Sequence, residues 1–278
     1  MTAVTGTDRI PADRGYESKH RALWALGDYT TVATELVAPL GPVLVQASNI
    51  GVGDRVLDVA AGAGNVAIPA ALAGADVIAS DLCPQLLERG RALAHRHRVS
   101  LRWLEANAEA LPCDSDEFDA VVSCVGVMFA PHHQRAADEL VRVCRPDGVI
   151  GLISWTPEGF IGNMFATMKP YVAAPPPGAQ PAPMWGNADH VRDLLADQIT
   201  DFTAVRRTLR VDRFADGAAF RDYFKAHYGP TIAAYQGIAG DPDGIDALDA
   251  RLAELGDRYL AGSSAMEWEY LLITARKR

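Results

Sequence analysis

From residue 54 to residue 155 the chain alternates short apolar runs with amphipathic stretches, and this rhythm restricts the fold more than any other feature. The apolar runs span Arg55 to Val59, Asp76 to Ser80, Leu101 to Glu105, Phe118 to Cys124 and Val149 to Trp155. Short, nearly continuous apolar runs of this kind belong to strands covered on both faces. The stretches between them, such as Pro84 to Arg96 and Gln134 to Cys144, read as helices. Alternating strands and helices imply an α/β fold built on a doubly wound, Rossmann-like parallel sheet.

Helical segments precede this core and an irregular region follows it. Residues 16 to 48 read as two helices broken at Gly27-Asp28, with Trp24 on the first and Tyr29 just past the break. Tyr171 to Gly186, YVAAPPPGAQPAPMWG, is too rich in proline for a helix or a central strand. A helix over Asp189 to Gln198, a strand over Phe202 to Val211 and helical segments over Asp216 to Tyr235 and Gly244 to Leu260 come next. Trp268 to Ala275 has strong strand character.

Composition narrows the partners. With 278 residues, 49% of them hydrophobic, the chain can bury one substantial core. Its 35 acidic residues outnumber 26 basic ones, a net charge of −9, which disfavours nucleic acid and anionic lipid surfaces. No apolar run approaches the roughly twenty residues that span a bilayer, and MTAVTGTDRIPADRGYESKHR lacks the apolar stretch of a secretory signal. Cys83, Cys113, Cys124 and Cys144 are widely spaced, with no C-x-x-C pair, so neither a disulfide framework nor a metal site is expected. Free thiols of this kind suit a cytoplasmic location.

The first strand runs into a glycine-bearing turn, VLDVAAGAGNVAIPA, residues 56 to 70. Glycines there let backbone approach a ligand closely, and the next helix points free N–H groups at it. Gly62 to Ala67 fits G-x-G-x-x-A, a tolerated form of the dinucleotide fingerprint. Asp81, ending the second strand, stands where a carboxylate accepts hydrogen bonds from ribose hydroxyls, though it also stands where it can cap the helix from Pro84. These residues alone leave NAD and other adenosine-bearing cofactors open.

Two later motifs discriminate. LDVAAGAG and SD are followed by NAEALP after the third strand and RVCRPDG before the fifth. In that order the four motifs resemble those of class I S-adenosylmethionine-dependent methyltransferases, in the branch similar to ubiquinone and menaquinone biosynthesis enzymes. The resemblance covers about residues 20 to 155. It departs at Asn107, where the family has an acidic residue, and at Asp147, where it has glycine.

The resemblance implies S-adenosyl-L-methionine as cofactor and an antiparallel last strand. It divides the chain into an N-terminal helical cap (1–50), a cofactor-binding core (51–157), substrate-covering insertions around the sixth strand (158–262) and the final strand (263–278). Asp58, Gly62 and Gly64, with Ala60 in place of a family glycine, would shape the methionine end of the cofactor site. Asp81 would hold the ribose and Leu82 pack on the adenine, while Asn107, Ala108 and Glu109 would line the adenine edge. Cys124 and Val125 would face the sulfonium, and Tyr29 and Trp24 would close that side.

Methyl transfer from a sulfonium needs alignment and a dry site more than it needs acid or base. If the acceptor must lose a proton, His132 and His133, past the fourth strand at the ligand-binding edge, are the base candidates, although a helix start facing solvent is the plainer reading. Their presence inclines the expectation towards oxygen as the methylated atom. Phe220, Tyr223, Phe224, His227 and Tyr228 fall on one helical face that either packs on the sheet or covers an apolar acceptor. Trp185 ends the proline-rich connector in a similar position. Trp24, Trp185, Tyr223, His227 and Tyr228 are therefore the candidate substrate residues, and a small apolar or aromatic molecule is the expected partner. A cofactor-binding protein of the same fold with other chemistry, and an NAD-dependent oxidoreductase, are the competing expectations.

Overall fold

A computed structural model describes residues 14–278. Residues 1–13, part of the expected N-terminal cap and of the segment read for a leader, lie outside the described residues. Among the described residues seven strands form one sheet in the order β3-β2-β1-β4-β5-β7-β6. They are β1 (Arg55–Val59), β2 (Asp76–Asp81), β3 (Arg102–Glu105), β4 (Phe118–Cys124), β5 (Cys144–Trp155), β6 (Ile199–Val211) and β7 (Met266–Lys277). The first five are parallel, and β7 runs antiparallel between β5 and β6. Successive residues of β1 point to opposite faces, yet Val56, Leu57, Asp58 and Val59 are all buried, so both faces of the sheet are covered.

The helices follow local signals. They are α1 (Arg14–Ala25), α2 (Tyr29–Val32), α3 (Leu40–Ala47), α4 (Ala67–Leu72), α5 (Pro84–Arg96), α6 (His133–Val143), α7 (Phe160–Met168), α8 (Ala188–Leu195), α9 (Gly217–His227), α10 (Gly229–Gly237) and α11 (Pro242–Leu260). Pro84 opens α5 in its first turn, and His95 and Arg96 sit in its last turn against the negative helix end. The Asn187, Asp216 and Asp241 side chains cap α8, α9 and α11 by accepting from His190, Ala219 and Gly244 N–H.

Several elements differ from expectation, among them α7, which the sequence reading did not foresee, and β6, which starts three residues early. The second N-terminal helix is α2 and α3 joined through a wide π turn, Ala33–Val37. Strand β5 begins at Cys144, not Val149, because the chain stays paired beside β4 through an irregular turn at Asp147, whose φ is 61°. The helical stretch from Asp216 is cut at Tyr228, which is extended, since Pro230 carries no N–H to continue the α9 ladder.

One long-range contact positions the site. Asp28 N–H donates to His227 O at 3.0 Å, and Gly27 forms an isolated bridge with Tyr228. Gly27 has φ +65°, and a Cβ there would lie 2.6 Å from His227 O, so only glycine fits. The break after α1 is thereby stitched to the junction of α9 and α10. Arg89 of α5 holds the same break through Asp28 at 2.6 Å.

Candidate active site

At the carboxyl ends of β1, β2 and β4 the chain leaves a cavity of about 910 Å³, counting the solvent at its mouth. A crevice there is the ordinary ligand site of an open α/β sheet. Its floor is the glycine turn, where Ala60 (φ 54°) and Gly62 (φ 56°) take left-handed backbone. A Cβ on Gly62 would meet only the Tyr29 ring, at 3.7 Å, so this side of the turn opens into the cavity. Asp81 locks the turn: Oδ2 accepts from Gly62 N–H at 2.8 Å, and Oδ1 accepts from Cys83 N–H at 2.8 Å. It therefore both supports the start of α5 and faces the cavity.

Leu82, Asn107, Ala108, Glu109, Cys124 and Val125, all read from sequence, line the same cavity, with Tyr29 and Trp24 from the N-terminal helices. The sequence reading missed Glu17, His20, Asn65 and Phe129, which line it too. Glu17, His20 and Trp24 are spaced three and four apart on α1, a helical-face signal present in the sequence. Trp24 Nε1 donates to His20 Nε2 at 2.8 Å, and burial pushes His20 down to about 4. Asn65 donates to Val37 O in the π turn at 3.2 Å and reaches Cys124 Sγ at 3.8 Å, joining three walls.

Two residues of the glycine motif do not line the cavity. Asp58 lies beneath the turn, where its Oδ2 accepts from Ala67 N–H at 2.9 Å. Gly64 faces away, and a Cβ there would meet Trp103 at 2.9 Å, so its role is packing. Asn107 is engaged on both sides: Oδ1 accepts from Glu109 N–H at 2.9 Å, and Nδ2 donates to Glu17 at 2.7 Å.

Neither histidine read as a base lines the cavity. His132 lies behind Glu109, which accepts its N–H at 2.7 Å and lies 3.0 Å from its Nδ1. His133 is neither at the site nor at a solvent-facing helix start. It is fully buried, its Nδ1 is 2.9 Å from His190 Nε2, and burial pushes it down to about 4. Of the side chains read as substrate contacts, Trp24 lines the cavity and the other four lie elsewhere. Trp185 is fully buried against His133. Tyr223 and His227 pack on each other outside the cavity, where the Tyr223 hydroxyl donates to Glu35. Tyr228 is buried against Trp24 and Tyr29 behind the cavity wall. A helical face can be read from spacing, but which neighbour covers it is a tertiary matter.

The electrostatics choose between the two cofactor classes. Glu17, Asp81 and Glu109 line the cavity, and among the described residues no Lys or Arg does. Burial raises Asp81 to about 6, and burial raises Asp58 to about 8. Asp58 also occupies the first N–H of α4, the group that would face a dinucleotide pyrophosphate. A polyanion meets three carboxylates and no Lys or Arg here, whereas a cationic sulfonium and ammonium find complementary charge. The residues present fit S-adenosyl-L-methionine. Among the described residues no cluster of three or more His, Cys, Asp or Glu could hold a metal, and no helix is long and apolar enough to cross a membrane.

Comparison with known proteins agrees. Residues 57–152 match the family described as a methyltransferase domain. The Mycobacterium tuberculosis (strain H37Rv) protein Rv1403c is 53% identical over 277 residues, covering all of both chains. A demethylmenaquinone methyltransferase of Clavibacter sepedonicus is 41% identical over 99 residues, 35% of this chain and 40% of that one. Among solved structures, the Bacillus subtilis YcgJ protein superposes with a TM-score of 0.57 at 19% identity, covering 85% of this chain and 97% of the other. Haemonchus contortus phosphoethanolamine N-methyltransferase 2, solved with S-adenosylhomocysteine, gives 0.53 at 14% identity over 86% of this chain and 52% of that one. Sheet order, acidic cavity and motif series thus converge on an S-adenosylmethionine-dependent methyltransferase domain over residues 57–152, and the chain as a whole belongs to one full-length family with the mycobacterial protein.

Proposed function

We propose that the chain methylates a small, largely apolar or aromatic molecule. The observation that carries this reading is the join of an acidic cofactor cavity to an aromatic wall made by Trp24, Tyr29 and Phe129. S-adenosylmethionine, when bound, supplies a methyl group already activated by the positive charge on sulfur. Asp81 would accept from its ribose hydroxyls, Leu82 would cover one adenine face, and Asn107, Ala108 and Glu109 would border the adenine edge. Gly62 would admit the methionine end, with Asp58 holding the turn from below, and Cys124 and Val125 would flank the sulfur. Trp24 and Tyr29 exclude water, which strengthens every charge interaction inside.

The preference for oxygen rested on His132 and His133, and that support falls with their placement. With neither His132 nor His133 at the cavity, the simplest acceptor is one whose nucleophile is already basic or already ionised, which needs no proton removed. The net charge of −9 argues against a nucleic acid acceptor. Calorimetric titration with S-adenosylmethionine, S-adenosylhomocysteine and NAD, followed by a screen for S-adenosylhomocysteine release with phenols, quinols and amines, tests the reading. Micromolar binding of the first two with no NAD signal is expected. Turnover confined to charged amines would overturn the apolar acceptor.

A further inference from the structure

Among the described residues three carboxylates line the cofactor cavity, and two of them are already engaged on both oxygens. Asp81 receives Gly62 N–H on one oxygen and Cys83 N–H on the other. Glu109 receives His132 N–H and turns both oxygens to His132 Nδ1. Glu17, from the first turn of α1, is held by Asn107, whose Nδ2 donates to Oε1 at 2.7 Å. A carboxylate offers about four lone-pair positions, so this one has room for a further donor.

The Asn107 oxygen is turned into its own loop, where Oδ1 accepts from Glu109 N–H at 2.9 Å. A backbone donor can face only the oxygen end of the amide, so this bond fixes which way the group points and leaves Nδ2 for Glu17. Bare, that N–H would repel an amino group; paired with Glu17, it holds an acceptor in place instead. Three contacts keep α1 in this register. Arg21, one turn on from Glu17, pairs with Glu105 at the end of β3. Trp24, a further turn along the same face, packs edge-on against Phe129 with ring centroids 4.7 Å apart. Asp28 N–H then ties the break after α1 to His227 O.

We infer that Glu17 is the purine-selecting residue of the cofactor site: its carboxylate accepts from the 6-amino group of adenine, and Asn107 is the residue that positions it. The assignment rests on the methyl-transfer reading, which puts adenine beside Asn107, Ala108 and Glu109. A site built around an acceptor rejects an analogue that presents an acceptor in place of the amine. A 6-oxo purine would set its oxygen against the Glu17 carboxylate and supply no amino donor. The selection is made by a helix outside the parallel core, so the N-terminal cap has to be seated before the purine is read.

The probes are S-adenosylhomocysteine and S-inosylhomocysteine, which differ only at the purine, titrated calorimetrically into the full chain. The native protein is expected to favour the adenosine compound by roughly a hundredfold. Glu17→Gln keeps the side chain's size and its acceptor for Asn107 but presents an N–H beside it. It should weaken S-adenosylhomocysteine roughly tenfold, tighten S-inosylhomocysteine and so collapse the ratio. Asn107→Asp sets two carboxylates against each other and should lower the ratio as well. The double variant Glu17→Gln, Asn107→Asp restores a donor–acceptor pair with the carboxylate transposed, and should recover most of it. Equal weakening of both compounds in Glu17→Gln is what a purely structural role produces and would overturn the assignment. Tighter S-adenosylhomocysteine binding in Asn107→Asp alone would put the acceptor at residue 107 and overturn it too. In both cases the methyl-transfer reading survives, since the native protein still binds S-adenosylhomocysteine. Silence of the native protein towards both compounds would overturn that reading, and this assignment with it.

Discussion

Asp58 and Asp81 show how burial turns ordinary carboxylates into pH-sensitive parts of the cofactor site. Desolvation raises them to about 8 and about 6, while a bound cation favours their ionised forms. Affinity for S-adenosylmethionine should therefore rise with pH, by about tenfold between pH 5 and 7 as Asp81 ionises, with a second rise towards pH 8 from Asp58. Calorimetry across pH checks this, and Asp58→Asn should remove the upper step alone. In the free protein the same shifts act oppositely on stability: the contribution of each raised carboxyl is present below its unfolded value of 3.8 and lost as pH rises through its folded value. His133 has the reverse sign. Held near 4 when folded against 6.5 unfolded, it costs stability as pH falls through that window. His133→Leu should be close to neutral at pH 7 and more stable than the native protein by about 1–2 kcal/mol at pH 5, measured by chemical denaturation at both pH values. Asp81 and Gly62 were legible as cavity residues because their chemistry is local to one turn, whereas Gly64 was misplaced because its neighbour Trp103 lies on a distant strand. The burial that silences His133 as a base was not, since it comes from Trp185 and His190, some fifty residues away in the chain.

At the level of elements, strand and helix positions followed the sequence closely, and close approach between elements did not. Gly41 reads as an unremarkable helix residue, yet a Cβ on it would lie 1.9 Å from Asn65 O. Helix α3 thus packs directly on the backbone of the glycine turn. Gly41→Ala should push that turn aside, lowering stability by about 1–3 kcal/mol and weakening S-adenosylhomocysteine binding beyond tenfold, as melting and calorimetry would show. The same mutation at Gly51, where a Cβ meets nothing within 4 Å, is the matched control. Proline punctuation marked where α5 begins, but the start of α11 at Pro242 was read two residues late, and the start of β5 at Cys144 escaped it, because pairing with β4 overrides local turn preference.

Across the whole molecule, the site is closed by chain segments from opposite ends. The bridge between Gly27 and Tyr228, with Asp28 N–H on His227 O, makes the N-terminal helices and the α9–α10 junction one cover. Ligand binding should stiffen both together. Hydrogen exchange with saturating S-adenosylhomocysteine is expected to slow at residues 14–32 and at 226–232 in parallel, whereas protection of only the first would show that the two halves move independently. The sequence by itself determined the parallel α/β core, the glycine turn, the acidic end of β2 and the cofactor class, because periodicity, turn chemistry and motif order are written in neighbouring residues. Only the tertiary structure decided that the histidines stand aside, that Asp58 works from beneath the turn and that Tyr29 meets Tyr228. Those facts depend on which surfaces bury one another across about two hundred residues of chain, and no short-range pattern encodes that.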